Sequence, residues 1–473
     1  MELNSMKKIV LGASLITLVF LLIAILKENV FPEWKLYQKQ YAKILEKYAT
    51  DDLGKLLRDG FKIEPRQIVI PQLKVTDRCI SCHNGLDDPR MKNEPNPHKT
   101  HPGNILEIHS YSKYGCTICH QGQGRALVFY EAKATGEVYW DYPILPKKLS
   151  QSGCATCHAP DGLRETAPLA ARGFELFSEK GCYACHKINN RGGILGPALD
   201  NEGIKKRAAF SFAYIDGEHT IANWHIEHLL DPQKVVAGSR MKNFNLSIEE
   251  AEALATYILS LKGLDIPINY IPKDRIAWEY NRRFRKALPG DELYNQYCRA
   301  CHGEGLESHF DPVLNRYIPT IRNPAFLSVA TDDFLKKNIQ KGRPGRDMPS
   351  WEEKAGGLKD EEINNLIAFL RGNTKISPDY DESYQAKGDI NKGKYLFERN
   401  CSGCHGIKGE GKQSPAIANV VFQESATDAY IKSTVMLGRH GTKMRGFSKS
   451  SPAFPVLVEE EVTDIITYIR TLK

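Results

Sequence analysis

The residues of this 473-residue chain whose types and spacing could do chemistry are its 12 cysteines. All of them fall into six copies of one pattern: two cysteines separated by two residues and followed at once by a histidine. Cysteines three positions apart share one face of a helical turn, so each pair can present two thiols to one flat group while the next imidazole reaches a metal. The pairs are Cys79 and Cys82, Cys116 and Cys119, Cys154 and Cys157, Cys182 and Cys185, Cys298 and Cys301, and Cys401 and Cys404.

This spacing is the attachment signature of c-type haem, in which both thiols add to haem vinyl groups and the histidine becomes the proximal ligand of the iron. Structural zinc does not need a histidine after every second cysteine, a thioredoxin-type site would occur once, and a disulfide framework has no reason to repeat this spacing. The sequence therefore predicts six covalent haem c groups, at sites numbered 1 to 6 along the chain. Their proximal histidines are His83, His120, His158, His186, His302 and His405.

The three later sites lie in segments that repeat. Each segment opens with a glycine and an aromatic residue four positions later, and closes on an amphipathic helix that carries another aromatic. This helix pair resembles the class I cytochrome c fold over about 165–264, 288–373 and 391–473. The residues concerned are Gly173, Phe177 and Tyr257, Gly290, Tyr294 and Phe369, and Gly393, Phe397 and Tyr468.

In the fold that these segments resemble, a loop methionine before the last helix supplies the distal ligand of the iron. Met241, Met348 and Met444 stand at the matching places, and the resemblance implies that they are ligands. Core packing is the alternative role for a methionine. At the last site, His440 and Met436 remain competing candidates.

The first three sites are crowded into 71–165, where histidines replace methionines as candidate ligands. This spacing resembles multihaem cytochromes with two histidines on each iron, which implies distal roles for His101 and His109 and, third, for His98. Surface histidines are the alternative. No obvious sixth ligand stands near His158, so an open haem at site 3 remains possible.

Three more histidines, His219, His225 and His228, precede Met241. We expect them to pack in the fourth haem domain or to hydrogen-bond a haem propionate, although a reach back to the third haem is also possible. The segment Trp224–His228 is expected to be helical.

The N-terminus predicts a membrane anchor. Lys7 and Lys8 precede an unbroken apolar run over 9–26, which is longer than the apolar core of about 7–15 residues in signal peptides and has no cleavage site after it. The two lysines predict a cytoplasmic N-terminus and a single pass through the cell inner membrane, with the haem domains in the periplasm. A cleaved signal peptide is the alternative.

The predicted fold is mainly α: an N-terminal transmembrane helix, a compact triheme segment with little regular structure, and three small all-α class I cytochrome c-like domains. The predicted limits are 1–30 for the anchor, 31–70 for an extended or helical connector, 71–165 for the triheme domain, 166–264, 288–373 and 391–473 for the monohaem domains, and 265–287 and 374–390 for linkers.

The stretch from His109 to Gly124 resembles multihaem subunits found beside quinol-oxidising cytochrome b/Rieske-type complexes, over roughly 30–165. The resemblance implies an electron-transport subunit of a respiratory chain, without a substrate site of its own, that passes electrons from such a complex to a periplasmic redox protein. The alternatives are the cytochrome subunit of a membrane dehydrogenase and a multihaem reductase with one open haem. No nucleic-acid partner is predicted, because haem propionates offset the formal charge of +7.

Overall fold

The protein is mainly helical, as predicted, and the computed structural model describes residues 3–135, 139–263, 266–284, 286–450 and 455–472. Parts of the predicted linker 265–287 lie outside the described residues. The first eight helices are α1 (Leu3–Asn29), α2 (Glu33–Tyr48), α3 (Asp52–Gly60), α4 (Ile105–Ile108), α5 (Tyr111–Tyr114), α6 (Thr117–His120), α7 (Phe129–Lys133) and α8 (Gln151–Cys157).

Longer helices dominate the remainder of the described chain. They are α9 (Pro168–Glu179), α10 (Ile221–Leu230), α11 (Pro232–Val235), α12 (Ile248–Ser260), α13 (Lys273–Phe284), α14 (Gly290–Tyr297), α15 (Arg299–His302), α16 (Pro324–Leu327), α17 (Asp332–Lys341), α18 (Asp360–Arg371), α19 (Ile390–Asn400), α20 (Ser402–His405), α21 (Val420–Ser425), α22 (Asp428–Leu437) and α23 (Glu459–Ile469).

Strands are few and short. β1 (Ile68–Ile70) pairs antiparallel with β2 (Val75–Asp77), and β3 (His309–Asp311) pairs antiparallel with β4 (Arg316–Ile318). Single 3-10 turns complete the regular structure at Pro71–Leu73, Cys79–Ser81, Pro89–Asn93, Pro160–Leu163, Cys182–Ala184, Glu202–Ile204, Arg207–Ala209 and Ile268–Tyr270. The repeats resembling class I domains did not predict the second hairpin.

Helix α1 contains the predicted anchor. By length and composition it is apolar enough to cross a membrane, and its most apolar window is not buried in the protein. It ends at Asn29, and Pro32 occupies the N-cap position of α2, where its lack of a backbone N–H removes no hydrogen bond within the helix.

The described chain divides into two compact units. The N-terminal unit comprises Met1–His158, Lys205–Ile226 and Leu264–Lys273 and holds sites 1 to 3. The C-terminal unit comprises the remaining stretches and holds sites 4 to 6.

Short elements build the N-terminal unit around its attachment sites. The β1–β2 hairpin contributes the buried residues Ile68, Ile70 and Val75, and Ile80 and Cys116 of sites 1 and 2 pack against them. Helices α4 to α8 are four to seven residues long, which agrees with the expectation of little regular structure there.

A helix crossing with a glycine at the contact recurs three times in the C-terminal unit. In the first, α9 crosses α12, and a Cβ on Gly173 would lie 2.0 Å from the Ala253 carbonyl oxygen, so no larger residue fits. Phe177 and Tyr257 pack edge to face beside it, with ring centroids 5.7 Å apart. A capping box of Ser247 and Glu250 starts α12.

The other two crossings repeat this arrangement. Gly290 of α14 lies against α18, and Gly393 of α19 lies against α23, with hypothetical Cβ atoms 2.2 and 2.0 Å from backbone carbonyl oxygens. Tyr294 packs on Phe369 at 5.3 Å between ring centroids, and Phe397 packs on Tyr468 at 5.5 Å. The three glycine–aromatic repeats in the sequence therefore mark three equivalent helix crossings.

The two C-terminal repeats pack on each other through reciprocal contacts. The Asn323 side chain donates to the His440 carbonyl oxygen at 2.9 Å, and Asn419, its counterpart, donates to the Pro344 carbonyl oxygen at 3.0 Å. Phe334 stacks on Tyr430 with ring centroids 4.5 Å apart. The two repeats thus form a pseudosymmetric pair within one chain.

Candidate haem sites

Each attachment motif folds into one helical turn. In all six, the backbone N–H of the histidine donates to the carbonyl of the first cysteine, over 2.8 to 3.1 Å. This hydrogen bond closes a helical turn that brings the two thiols to one face and places the histidine side chain next to them. The sixfold repetition matches the geometry that covalent haem attachment requires.

In the C-terminal unit, a proline carbonyl orients each proximal histidine. The Nδ1 atoms of His186, His302 and His405 lie 2.9, 3.1 and 3.0 Å from the carbonyl oxygens of Pro197, Pro319 and Pro415, listed in the same order. A carbonyl can only accept, so Nδ1 carries the proton and Nε2 keeps its lone pair for a metal.

The surroundings favour the neutral imidazole at four of the proximal histidines, and a metal ligand needs to be neutral. Desolvation lowers the pKa of His302 to about 4 and also lowers the pKa of His83, His120 and His405. The side chains of His83 and His120 nevertheless retain exposed surface.

A glycine lets the backbone reach the ring of His186. A Cβ on Gly196, in the Gly196-Pro197-Ala198-Leu199 motif, would lie 2.5 Å from Cε1 of that ring and 3.0 Å from Nε2. The motif therefore combines a close approach at Gly196 with the carbonyl acceptor of Pro197.

Two pairs of imidazoles face each other in the N-terminal unit. The ring centroids of His101 and His120 are 6.1 Å apart, and those of His109 and His158 are 5.9 Å apart. Two imidazoles on opposite sides of one metal, with bonds of about 2.0–2.1 Å, hold their centroids roughly 6 Å apart. The residues at sites 2 and 3 therefore fit an iron with two histidines, and site 3, left open by the sequence, has His109 beside it.

His98 is buried in the N-terminal unit near site 1. Its ring packs on Tyr41, with centroids 5.8 Å apart, and its Nε2 lies 3.4 Å from Oε1 of Gln40. The pKa of His83 is lowered first by desolvation and second by the charge of His98, which places the two rings close to each other.

The loops that carry Met348 and Met444 have the same hydrogen bonds. Arg343 donates its backbone N–H to the Met348 carbonyl at 2.9 Å, and Arg439 donates to the Met444 carbonyl at 2.6 Å. Both methionines are half-buried, whereas His440 is exposed. This equivalence favours Met444 over His440 as the counterpart of Met348.

The adjoining backbone pairs agree with this alignment. Trp351 donates to Ile339 at 3.1 Å, and Phe447 donates to Val435 at 3.0 Å. Met436 precedes the loop that Arg439 and Met444 close. Its carbonyl accepts a hydrogen bond from the Ser448 N–H, next to the bond between Phe447 and Val435.

The Met241 loop is held differently. The side chain of Gln233 donates to the Met241 carbonyl, and that of Asn243 donates to the Leu230 carbonyl at 3.2 Å. Met241 is half-buried, like the other two methionines, but it does not share their loop register.

The sequence reasoning missed Asp77. This fully buried carboxylate, two residues before Cys79, accepts from the backbone N–H of Cys116 and from the N–H and hydroxyl of Thr117, the last two at 2.9 and 2.8 Å. It therefore fixes the attachment turn of site 2 to the flank of site 1. An isolated aspartate gives no sequence signal for this role.

The three remaining histidines lie in different surroundings. His219 stacks on Phe212, and the buried His225 packs on Phe210, with ring centroids 5.7 and 5.5 Å apart, so packing accounts for both. His228 lies on α10, the helix predicted there, and desolvation followed by the charge of His186 lowers its pKa to about 4. His228 is therefore a neighbour of the site 4 histidine.

Family profiles match all three C-terminal segments. The family described as "Cytochrome c" matches 170–262 and 390–473, and the family described as "Cytochrome C oxidase, cbb3-type, subunit III" matches 285–370. Cytochrome c-551 of Ectopseudomonas mendocina is 33% identical over 92 residues, which are 20% of this chain and 100% of that protein.

Two oxidase subunits are more distant relatives. Cbb3-type cytochrome c oxidase subunit CcoP of Azospirillum sp. is 25% identical over 198 residues, covering 39% of this chain and 60% of the relative. Subunit FixP of Bradyrhizobium diazoefficiens is 25% identical over 162 residues, covering 32% and 51%. The chain thus spans between half and three fifths of these two relatives.

Among solved structures, a chain of the Kuenenia stuttgartiensis reducing HAO-like protein complex aligns with a TM-score of 0.26 and 20% identity, over 40% of this chain and 97% of that chain. A likeness this weak carries no argument. The helix crossings, the attachment turns and the family matches together define a c-type cytochrome. The chain belongs to the cytochrome c family and is homologous to the multihaem CcoP and FixP subunits.

Proposed function

We propose that this chain is a membrane-anchored hexahaem cytochrome that carries electrons from a quinol-oxidising membrane complex to a periplasmic acceptor. The observation that carries the proposal is the attachment turn repeated six times, each with two thiols and an imidazole. Haem supplies the one-electron centre when it is bound. The chain's residues attach it and orient its ligands.

The candidate sixth ligands give the proposal a direction. His101 and His109 face proximal histidines in the N-terminal unit, and methionine loops follow the sites of the C-terminal unit. A methionine ligand raises the reduction potential relative to a second histidine. Electrons then enter at sites 1 to 3, in the unit that carries α1, and leave from sites 4 to 6.

The position of His109 supports electron carriage over chemistry on a small molecule. A reductase needs an iron with an open position, and site 3 was the candidate for it. With His109 at 5.9 Å from His158 between ring centroids, a haem iron bound at that site would have a histidine available on each side. We therefore propose no substrate site in the described chain.

The partner complex is proposed on less specific grounds. The CcoP and FixP relatives are named as subunits of cbb3-type oxidases, which supports membership of a membrane complex. An apolar helix at the N-terminus suits such a place, with the haem units in the periplasm. Assembly with a terminal oxidase is the second candidate and rests on those relatives.

Purification of the chain with its partners in mild detergent tests the proposal. We expect an intact mass that corresponds to six haems, and co-purified subunits that carry b-type haem and oxidise a quinol. Co-purification with the other subunits of a cytochrome c oxidase would select the second candidate. A chain that carries no covalent haem would contradict both.

A further inference from the structure

The attachment turns of sites 4 and 5 face each other inside the C-terminal unit. A Cβ on Gly181, just before Cys182, would lie 3.1 Å from the Cβ of Ala300, which stands between the two cysteines of site 5. The rings of Tyr183 and Tyr297 pack beside this approach with centroids 5.7 Å apart. The contact thus joins the two motifs themselves.

Sulfur atoms meet at the centre of this contact. The thiols of Cys185 and Cys301 are hydrogen-bonded to each other. Lys242 holds the site 5 turn from the outside, because its Nζ donates to the Ala300 carbonyl at 2.8 Å and pairs with buried Asp311. Each of these two sulfurs belongs to the second cysteine of its motif, so in the loaded protein both are thioethers on haem edges.

We propose that electrons pass between the haems of sites 4 and 5 through the contact of the Cys185 and Cys301 sulfur atoms. The inference rests on the proposed electron-carrying function and adds the route. One electron leaves a ferrous iron, which becomes ferric, and reaches a ferric iron, which becomes ferrous. No bond, proton or further reactant takes part, so the step balances as written.

The physical reason is distance. Electron tunnelling falls exponentially with the gap between donor and acceptor edges, and a thioether sulfur is bonded directly to the edge of its haem. Where two such sulfurs touch, the gap between the two covalent frameworks shrinks to one van der Waals contact. Cys182, the other cysteine of site 4, makes no such contact with a sulfur of site 5 among the interactions that the structure describes.

The N-terminal unit has a similar contact. The thiols of Cys79 in site 1 and Cys116 in site 2 are hydrogen-bonded, and Asp77 ties the two turns together. The same kind of sulfur contact therefore links one pair of sites in each unit.

A matched pair of variants of the full-length protein tests the route. Cys185→Ala and Cys182→Ala each remove one thioether from the same haem and keep the other thioether and His186. A haem with one thioether absorbs at longer wavelength than its neighbours, so the site 4 haem becomes visible by itself in both variants. After injection of one electron by flash photoreduction, we measure how fast that haem equilibrates with the others.

We expect equilibration at least tenfold slower in Cys185→Ala than in Cys182→Ala. The reciprocal pair, Cys301→Ala against Cys298→Ala, should show the same asymmetry and replaces the first pair if a site 4 variant does not mature. Equal rates within a pair would overturn the sulfur route. Failure of the wild-type haems to exchange electrons at all would instead overturn the proposed function, so the two failures are distinguishable.

Discussion

At the residue scale, the proposed function depends on which side chain approaches each proximal histidine. His101 and His109 lie at the ring separation that one metal between two imidazoles requires. Spacing in the sequence indicated these residues as a group. It could not pair His109 with His158, because that pairing depends on the tertiary fold of the 49 residues that lead from one to the other. Met348 and Met444 were indicated more directly, through the repeated segments.

Replacing His109 with alanine should open one iron. The spectrum of the reduced wild-type protein should not change when carbon monoxide is added, since the proposed distal ligands would leave no iron with an open position. In His109→Ala, carbon monoxide should shift one haem out of six. His219→Ala is the control, because that ring stacks on Phe212 instead, and it should behave like the wild type. A one-haem shift in the wild type would contradict the assignment.

Replacing Met348 with histidine should lower one potential in the higher group. A thioether is the weaker donor to ferric iron, so exchange for imidazole favours the oxidised state. A spectroelectrochemical titration measures the shift. Met436→Leu is the control at a methionine outside the loop register, and it should change no potential. The assignment fails if Met348→His leaves every potential in place.

At the element scale, the sequence predicted the repeated helix pairs and missed the features that occur without a repeat. The three helix crossings follow from a glycine and two aromatics at fixed spacing, because close approach of two helices leaves no room for a Cβ. The hairpins β1–β2 and β3–β4 and the clamp by Asp77 had no such signal, since three-residue strands and single buried carboxylates look like loop residues in the sequence. The limits of the predicted domains stay predictions.

Substituting Gly196 with alanine should disturb site 4. The added methyl group would lie 2.5 Å from the ring of His186 and cannot be accommodated without moving the ring or the loop. Overpacking of this kind typically costs about 1–3 kcal/mol, which a lower midpoint in denaturant titration of the loaded protein would report. The matched control is Gly162→Ala, where a Cβ has nothing within 4 Å. Equal midpoints for the two variants would remove Gly196 from the site.

At the scale of the whole molecule, the proposed ligand types divide the six sites in the same way as the two units do. Sites 1 to 3 and the apolar helix α1 belong to the N-terminal unit, and sites 4 to 6 to the C-terminal unit. This partition supports the proposed entry of electrons at sites 1 to 3 and their exit from sites 4 to 6.

A single arginine substitution within α1 tests whether this helix anchors the protein in a membrane. Leu18 lies within α1, and Leu18→Arg should weaken membrane insertion by about 2.5–3.5 kcal/mol on insertion scales. We expect high salt to leave the wild-type protein in the membrane and to release part of the variant. Leu53→Arg, at an exposed leucine on α3, is the control and should stay bound. Release of intact wild-type protein by salt would contradict a retained anchor.

The most direct test of the central claim is a potentiometric titration of the purified full-length protein, with haem followed spectroscopically. We expect six one-electron equivalents per chain, resolved into a lower-potential group from sites 1 to 3 and a higher-potential group from sites 4 to 6. Fewer than six equivalents, or six haems that titrate as a single low-potential band, would contradict it.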